Sequence, residues 1–154
     1  MRAPETSGNW SGSNRRTSKL HQRVTGARDY RRSERLCAME ITFVDQPITR
    51  QQVKAAARPY YEEVVKAVVD IEKRIMAIGG EMHADEETFL LEHGSKHEDL
   101  WGINIFTELE GPDMIELDSI INVRPRTGNR SRGVEDAAIR KRIIELVGSL
   151  VQPS

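Results

Sequence analysis

Cysteine is almost absent from this 154-residue sequence: Cys37 is the only one. No disulfide framework can form within the chain, and a fold has to rest on a hydrophobic core. Long apolar runs are missing too. None exceeds four residues, Ile75-Met76-Ala77-Ile78 being one, against the roughly 20 that span a bilayer. The apolar stretch of a secretory signal is lacking for the same reason. The phosphate-cradling Gly-x-x-x-x-Gly-Lys-Ser/Thr, the dinucleotide Gly-x-Gly-x-x-Gly and the nucleophile-elbow Gly-x-Ser-x-Gly do not occur, so none of those chemistries is signalled.

Net charge is also small, −1 overall, but the total averages two opposed segments. Residues 1–38 carry nine Lys/Arg against three Asp/Glu, a net of +6, and the remaining 14 basic and 21 acidic side chains give residues 39–154 a net of −7. The first segment is rich in Arg, Ser, Thr, Asn and Gly and has no hydrophobic period. Its scattered Trp10, Leu20, Val24, Tyr30 and Leu36 bury too little to offset the cost of ordering, so a disordered tail is expected. Three readings of it stand side by side: an inert or mis-started leader with Met39 as the true first residue, a basic arm for nucleic acid, and an organelle-targeting peptide. Residues 39–154 form one domain in this reading, long enough for a core without metal or disulfides.

Within that domain, residues 40–44 read as a strand. Thr49 and Gln52 form a capping box, with Ile48 and Val53 at the hydrophobic-staple positions, so a helix starts at Arg50; Pro59 bends or ends the chain's helical course near there. Residues 64–78 fit both periods. Val65, Ala67, Val69, Ile71, Ile75 and Ala77 alternate, and Val/Ile enrichment before Gly79-Gly80 favours strands, bent as a hairpin at Lys73-Arg74. A short helix with an acidic start is expected over 85–92. Residues 100–106 and 114–124 read as two strands of a further hairpin around Gly111-Pro112-Asp113. Asp136 is a helix N-cap, followed by an apolar stripe of Ile139, Ile143, Leu146, Val147, Leu150 and Val151. The expected fold is α+β: a mainly antiparallel sheet of four or five strands, with the first and last helices packed on one face.

Three segments taken together resemble a known family: residues 75–86 (IMAIGGEMHADE), Leu100-Trp101-Gly102-Ile103-Asn104, and the polar run from Ile121-Asn122-Val123-Arg124-Pro125 through Gly128-Asn129-Arg130-Ser131-Arg132-Gly133-Val134-Glu135-Asp136. The chain is similar there to short bacterial proteins known only as a domain of unknown function. The likeness runs from about Met39 to Val151. It implies a bacterial, cytoplasmic setting and relatives that begin near Met39; it assigns no activity and no residue role.

Candidate chemistry falls in three places. Arg124, Arg126, Arg130 and Arg132 share a loop with no acid between Val123 and Glu135, placed between a strand and a helix N-terminus. Guanidinium forks, loop amides and the helix dipole all favour phosphate or carboxylate there, and Thr127, Asn129 and Ser131 add neutral donors. The competing reading is a solvated loop that answers the domain's acidic excess. Second, seven acids and three histidines crowd residues 81–99; His83 and Asp85 are the metal-ligand candidates, although the spacing matches no metal signature, and surface carboxylates with incidental histidines are the plainer account. Third, strand parity puts Asp70, Glu72, Asn104, Glu116, Asp118 and Asn122 on the sheet face away from the helices, together with Val68, Met76, Ile78, Phe106 and Ile120. Such a face suits a substrate surface, a dimer or partner interface, or plain solvent. Trp101 alternates with Ile103 and Ile105 and is expected in the core.

The leading expectation is a cytoplasmic domain that binds a phosphate-bearing, nucleotide-like ligand through residues 124–132, with Asp70, Asp118 and Asn122 beside it and metal-assisted hydrolysis as an extension. The alternative is a non-enzymatic module that dimerises or docks a protein partner through the open sheet face. Net −7 disfavours nucleic acid except through the tail. No cofactor is indicated.

Overall fold

The computed structural model describes residues 40–58, 61 and 63–153. The expected basic tail and the bend at Pro59 lie outside the described residues.

In chain order the elements are β1 (Thr42–Val44), β2 (Ile48–Thr49), α1 (Arg50–Ala55), β3 (Val64–Asp70), β4 (Ile75–Ile78), α2 (His83–Glu92), β5 (Leu100–Phe106), β6 (Ile115–Glu116), α3 (Ala137–Leu150) and β7 (Val151–Gln152). A five-stranded antiparallel sheet runs β1-β4-β3-β5-β6, and β2 and β7 form a separate parallel pair. The α+β expectation holds.

Local chemistry sets the helix starts. The Gln52 amide donates to Thr49 Oγ1 at 3.1 Å and the Thr49 amide donates to Gln52 Oε1 at 2.7 Å, the reciprocal box that satisfies two end amides of α1. Asp136 Oδ1 accepts from the amides of Ala138 and Ile139 at 2.8 and 3.2 Å. Asp85 accepts from the Met82 amide at 2.9 Å and closes the first turn of α2.

The β3–β4 hairpin turns through residues 71–74. Asp70 Oδ1 accepts from the amides of Glu72 and Lys73 at 3.0 and 2.8 Å, and Arg74 takes the left-handed conformation at φ 57°. These four turn residues overturn the single alternation read through 65–77. Val69 stands opposite Met76 and Ala67 opposite Ile78, so Met76 and Ile78 share the face of Val65, Ala67 and Val69, whereas Ile75 and Ala77 lie with Val68.

One face of the sheet carries the main core: Val53 of α1 and Ile143, Leu146, Val147 and Leu150 of α3 pack with Val65, Val69, Met76, Trp101, Ile103 and Ile105. The first and last helices do share that face, as expected, and Trp101 is in the core. The opposite face, expected to be open, is partly covered by α2: Leu90 packs with Val68, Ala77 and Leu100, and Phe89 and Ile121 join them.

The strand expected over 114–124 is also corrected. Only Ile115 and Glu116 pair with β5; the chain then enters a 3-10 turn at Ile120–Asn122. Ile115 and Leu117 join the main core but Ile121 packs under α2, so alternation stops after Leu117. The physical reason lies at Gly102, whose edge is taken by the Asn122 side chain instead of a strand.

Candidate functional site

The arginine loop is a tightly built structure. Arg124 and Asn129 pair as an isolated antiparallel bridge, with Arg124 N to Asn129 O at 2.6 Å and the return bond at 3.1 Å. Between them Pro125–Thr127 makes a 3-10 turn and Gly128 reverses the chain at φ 94°, a conformation that favours glycine. Asn129, 5% exposed, works inward: its Nδ2 lies within hydrogen-bonding distance of the carbonyls of Asn122, Ser131 and Gly133, and its Oδ1 accepts from the Glu135 amide. Asn122 is fully buried; its Nδ2 reaches the carbonyls of Gly102 and Arg132. Neither amide is left to meet a ligand. The sequence alone cannot distinguish such a scaffold from a donor array, since both use the same residue types.

The four arginines divide. Arg124 is half-buried, with its guanidinium 4.8 Å from the Trp101 ring centre and its nitrogens donating to the carbonyls of Ile121, Glu98 and Leu100. It is a structural cation–π contact. Arg132 pairs with Asp118, Nε to Oδ1 at 2.8 Å. Arg126 and Arg130 are exposed, and their guanidinium groups have no partner among the described residues. Ser131 is exposed beside them, whereas the Thr127 hydroxyl donates to the Arg124 carbonyl. Asp136 already supplies an anion at the positive end of α3, and Glu135 accepts from the Arg130 amide at 3.1 Å.

From Arg132 a polar strip crosses the part of the sheet face left beyond α2. Register aligns Lys66, Asn104 and Glu116 across β3, β5 and β6. Asn104 Nδ2 donates to Glu116 Oε2 at 2.8 Å and approaches the Asp118 carbonyl at 3.4 Å. His83, at the start of α2, lies over this row with its Nε2 2.7 Å from the Ile103 carbonyl. A carbonyl only accepts, so Nε2 carries the proton and Nδ1 keeps its lone pair. Burial lowers the His83 pKa from its ordinary value, and nearby Lys66 adds to the effect; the Ile103 carbonyl, Asp118 and Asn104 oppose it. His83 is therefore a neutral imidazole at pH 7.

One turn further along α2, Glu86 is fully buried. Its Oε1 accepts from the Gly80 amide at 2.9 Å, and its Oε2 has no partner among the described residues. Burial pushes its pKa up to about 8, assisted by Asp85 and opposed by the Gly80 amide, Lys66 and Arg58. A Cβ at position 80 would stand 3.0 Å from Glu86 Cγ, so Gly80 allows the approach.

Three sequence candidates do not join the strip. Asp70 is buried at the hairpin end of β3, its Oδ1 committed to the turn. It is four residues, about 13 Å, along the strand from Lys66. Glu72 pairs with Arg142 at 2.8 Å. Asp85 serves the α2 cap and does not meet His83, and no group of three or more His, Cys, Asp or Glu among the described residues is arranged to hold a metal ion. Conversely, Lys66 and Glu86 were not expected. Glu86 had a readable signal: His83, Glu86 and Leu90 fall at i, i+3 and i+7, one face of a helix. Lys66 had none, since a lysine between Val65 and Ala67 reads as a solvated position.

No helix of the described residues is long and apolar enough to cross a membrane. No curated protein and no solved structure matches the chain. Residues 42–150 match the family described as Protein of unknown function (DUF5674), a span that contains both the loop and the strip, and the chain belongs to that family.

Proposed function

We propose that this domain binds a small anionic ligand, phosphate-bearing and nucleotide-like in chemistry, at the loop of residues 124–132. The observation that carries the reading is the pair Arg126 and Arg130: two exposed guanidinium groups with no partner among the described residues, on a backbone held by Asn122 and Asn129. A loop backbone already held in place need not be ordered by the ligand, which removes part of the usual entropic cost. Ser131 offers a hydroxyl beside the two arginines. Arg132 and Asp118 connect the loop to the strip of Asn104 and Glu116. Asn122, Asn129 and Arg124 act as the loop's frame.

The test is a thermal-shift series on the full chain with inorganic phosphate, AMP and ATP, each against the double variant R126A/R130A. A ligand at a hundred times its Kd adds about 2.7 kcal/mol to stability, and the double variant is expected to lose that gain. A shift of unchanged size in the variant places the site elsewhere, and no shift with any of the three removes the reading.

A further inference from the structure

Two cavities meet at Arg50, away from any residue of the loop or strip. One is a groove of about 470 Å³ whose walls include Pro112, Met114, Ile115, Ile144, Gly148 and Val151. The other, about 270 Å³, is lined by Arg50, Gln51, Lys54, Thr107 and Glu108. The first is apolar and the second polar, and Arg50 lines both.

Gly148 is the informative residue of the groove. Glycine inside a helix costs stability relative to alanine, and a Cβ here would meet no atom within 4 Å. Packing of the fold does not require the missing side chain; its consequence is an open groove. In the polar cleft the informative residue is Thr107, only 4% exposed, whose hydroxyl has no hydrogen-bond partner among the described residues. Both cations of the cleft hold carboxylates: Arg50 Nη1 is 3.0 Å from Glu110 Oε1, and Lys54 pairs with Glu108. Glu110 and Glu108 are well exposed, with 78% and 56% of their side chains accessible. Exposed ion pairs of this kind are individually weak, so another carboxylate can take their place.

We infer that the two cavities form one binding site for an amphipathic carboxylate, with its alkyl chain in the groove beside Gly148 and its head group at Arg50 and Lys54. The walls match a chain, the cations match a carboxylate that displaces Glu108 or Glu110, and Thr107 gains a partner. This site is independent of the anion loop.

Isothermal titration of the full chain with decanoate, decanol and acetate tests it, decanoate being kept below its micellar concentration. Decanoate binds, and acetate and decanol bind at least about tenfold more weakly, since each lacks one half of the ligand. Gly148→Leu fills the groove while favouring the helix, and weakens decanoate by a similar factor. Lys54→Ala, at an exposed position, weakens decanoate but leaves decanol unchanged, which keeps the test valid should the leucine variant fold poorly. The R126A/R130A variant binds decanoate as the parent does. Absence of decanoate binding, equal binding of decanol, parent-like binding by both Gly148→Leu and Lys54→Ala, or loss of decanoate binding in R126A/R130A overturns the inference.

Discussion

Asn122 and Gly102 are joined by a ring of two hydrogen bonds: the Gly102 amide donates to Asn122 Oδ1 at 2.8 Å, and Asn122 Nδ2 donates to the Gly102 carbonyl at 2.9 Å. A loop side chain thus does at the edge of β5 what a neighbouring strand would do. Gly102 is suited to the position because an added Cβ would lie 2.5 Å from Ser119 Oγ.

Asn122→Ala removes this ring and leaves a buried N–H and a buried carbonyl unpaired. We expect a loss of about 2–4 kcal/mol in urea unfolding, given about 1–3 kcal/mol for each orphaned group and partial relief by water. A loss under about 0.5 kcal/mol, the range of an ordinary surface change, would show that the ring is not holding the loop.

Removing the exposed arginines should behave in the opposite way. Arg126→Ala and Arg130→Ala leave stability within about 0.5 kcal/mol of the parent, because neither guanidinium has a partner to lose. Matching urea midpoints for the parent and the double variant check this, and they allow any ligand effect of R126A/R130A to be read as binding.

Glu86 makes stability fall as pH rises. Its folded pKa, about 8, lies above the ordinary 4.5, so between those values the native state holds a proton that the unfolded chain releases. The stabilisation is fully present below about pH 4.5 and is lost as pH climbs through 8, with a slope approaching 1.4 kcal/mol per unit. Glu86→Gln keeps an acceptor for the Gly80 amide and cannot ionise. Its stability should be flatter over that window, measured by urea unfolding at a series of pH values; an unchanged slope contradicts the assignment.

His83 acts with the other sign. Its folded pKa is lowered from 6.5, so its contribution is present above pH 6.5 and is lost as pH falls through the folded value. An NMR titration of the ring should give a midpoint below 6.5 and the Nε2-protonated tautomer. A midpoint at or above 6.5 contradicts the effect of burial on the ring, and the other tautomer contradicts the contact with Ile103.

Asp136→Ala removes the acceptor for two amides of α3 and is expected to cost about 1 kcal/mol. Asp136→Asn should recover most of it, because an amide oxygen still caps; thermal unfolding of both distinguishes capping from a charge effect.

Elements with a local physical signature were legible before the structure. Thr49 with Gln52 and Asp136 before its apolar stripe mark two helix starts, since a cap is chemistry between residues two or three apart. The hairpin at Lys73-Arg74 was legible for the same reason. Its face assignment was not, because the number of turn residues decides which of Met76 and Ala77 shares a side with Val69. In the candidate site, the loop of four arginines followed from composition. The division between the exposed Arg126 and Arg130 and the committed Arg124 and Arg132 depends on Trp101, Leu100 and Asp118, which lie 14 or more residues away in sequence.

By itself the sequence determined the α+β class, the caps, the apolar stripe of α3 and an arginine loop before a helix. These rest on periodicity and on contacts within one helical turn or hairpin. Tertiary structure alone decided that α2 covers part of the second face, that Asn122 replaces a strand at Gly102, and that His83 and Lys66 meet Asn104. It also buried Glu86 and left a groove at Gly148. The physical reason is common to all of these: burial and partnership depend on which surfaces the fold brings together, and desolvation acts on that neighbourhood whatever the order of residues along the chain.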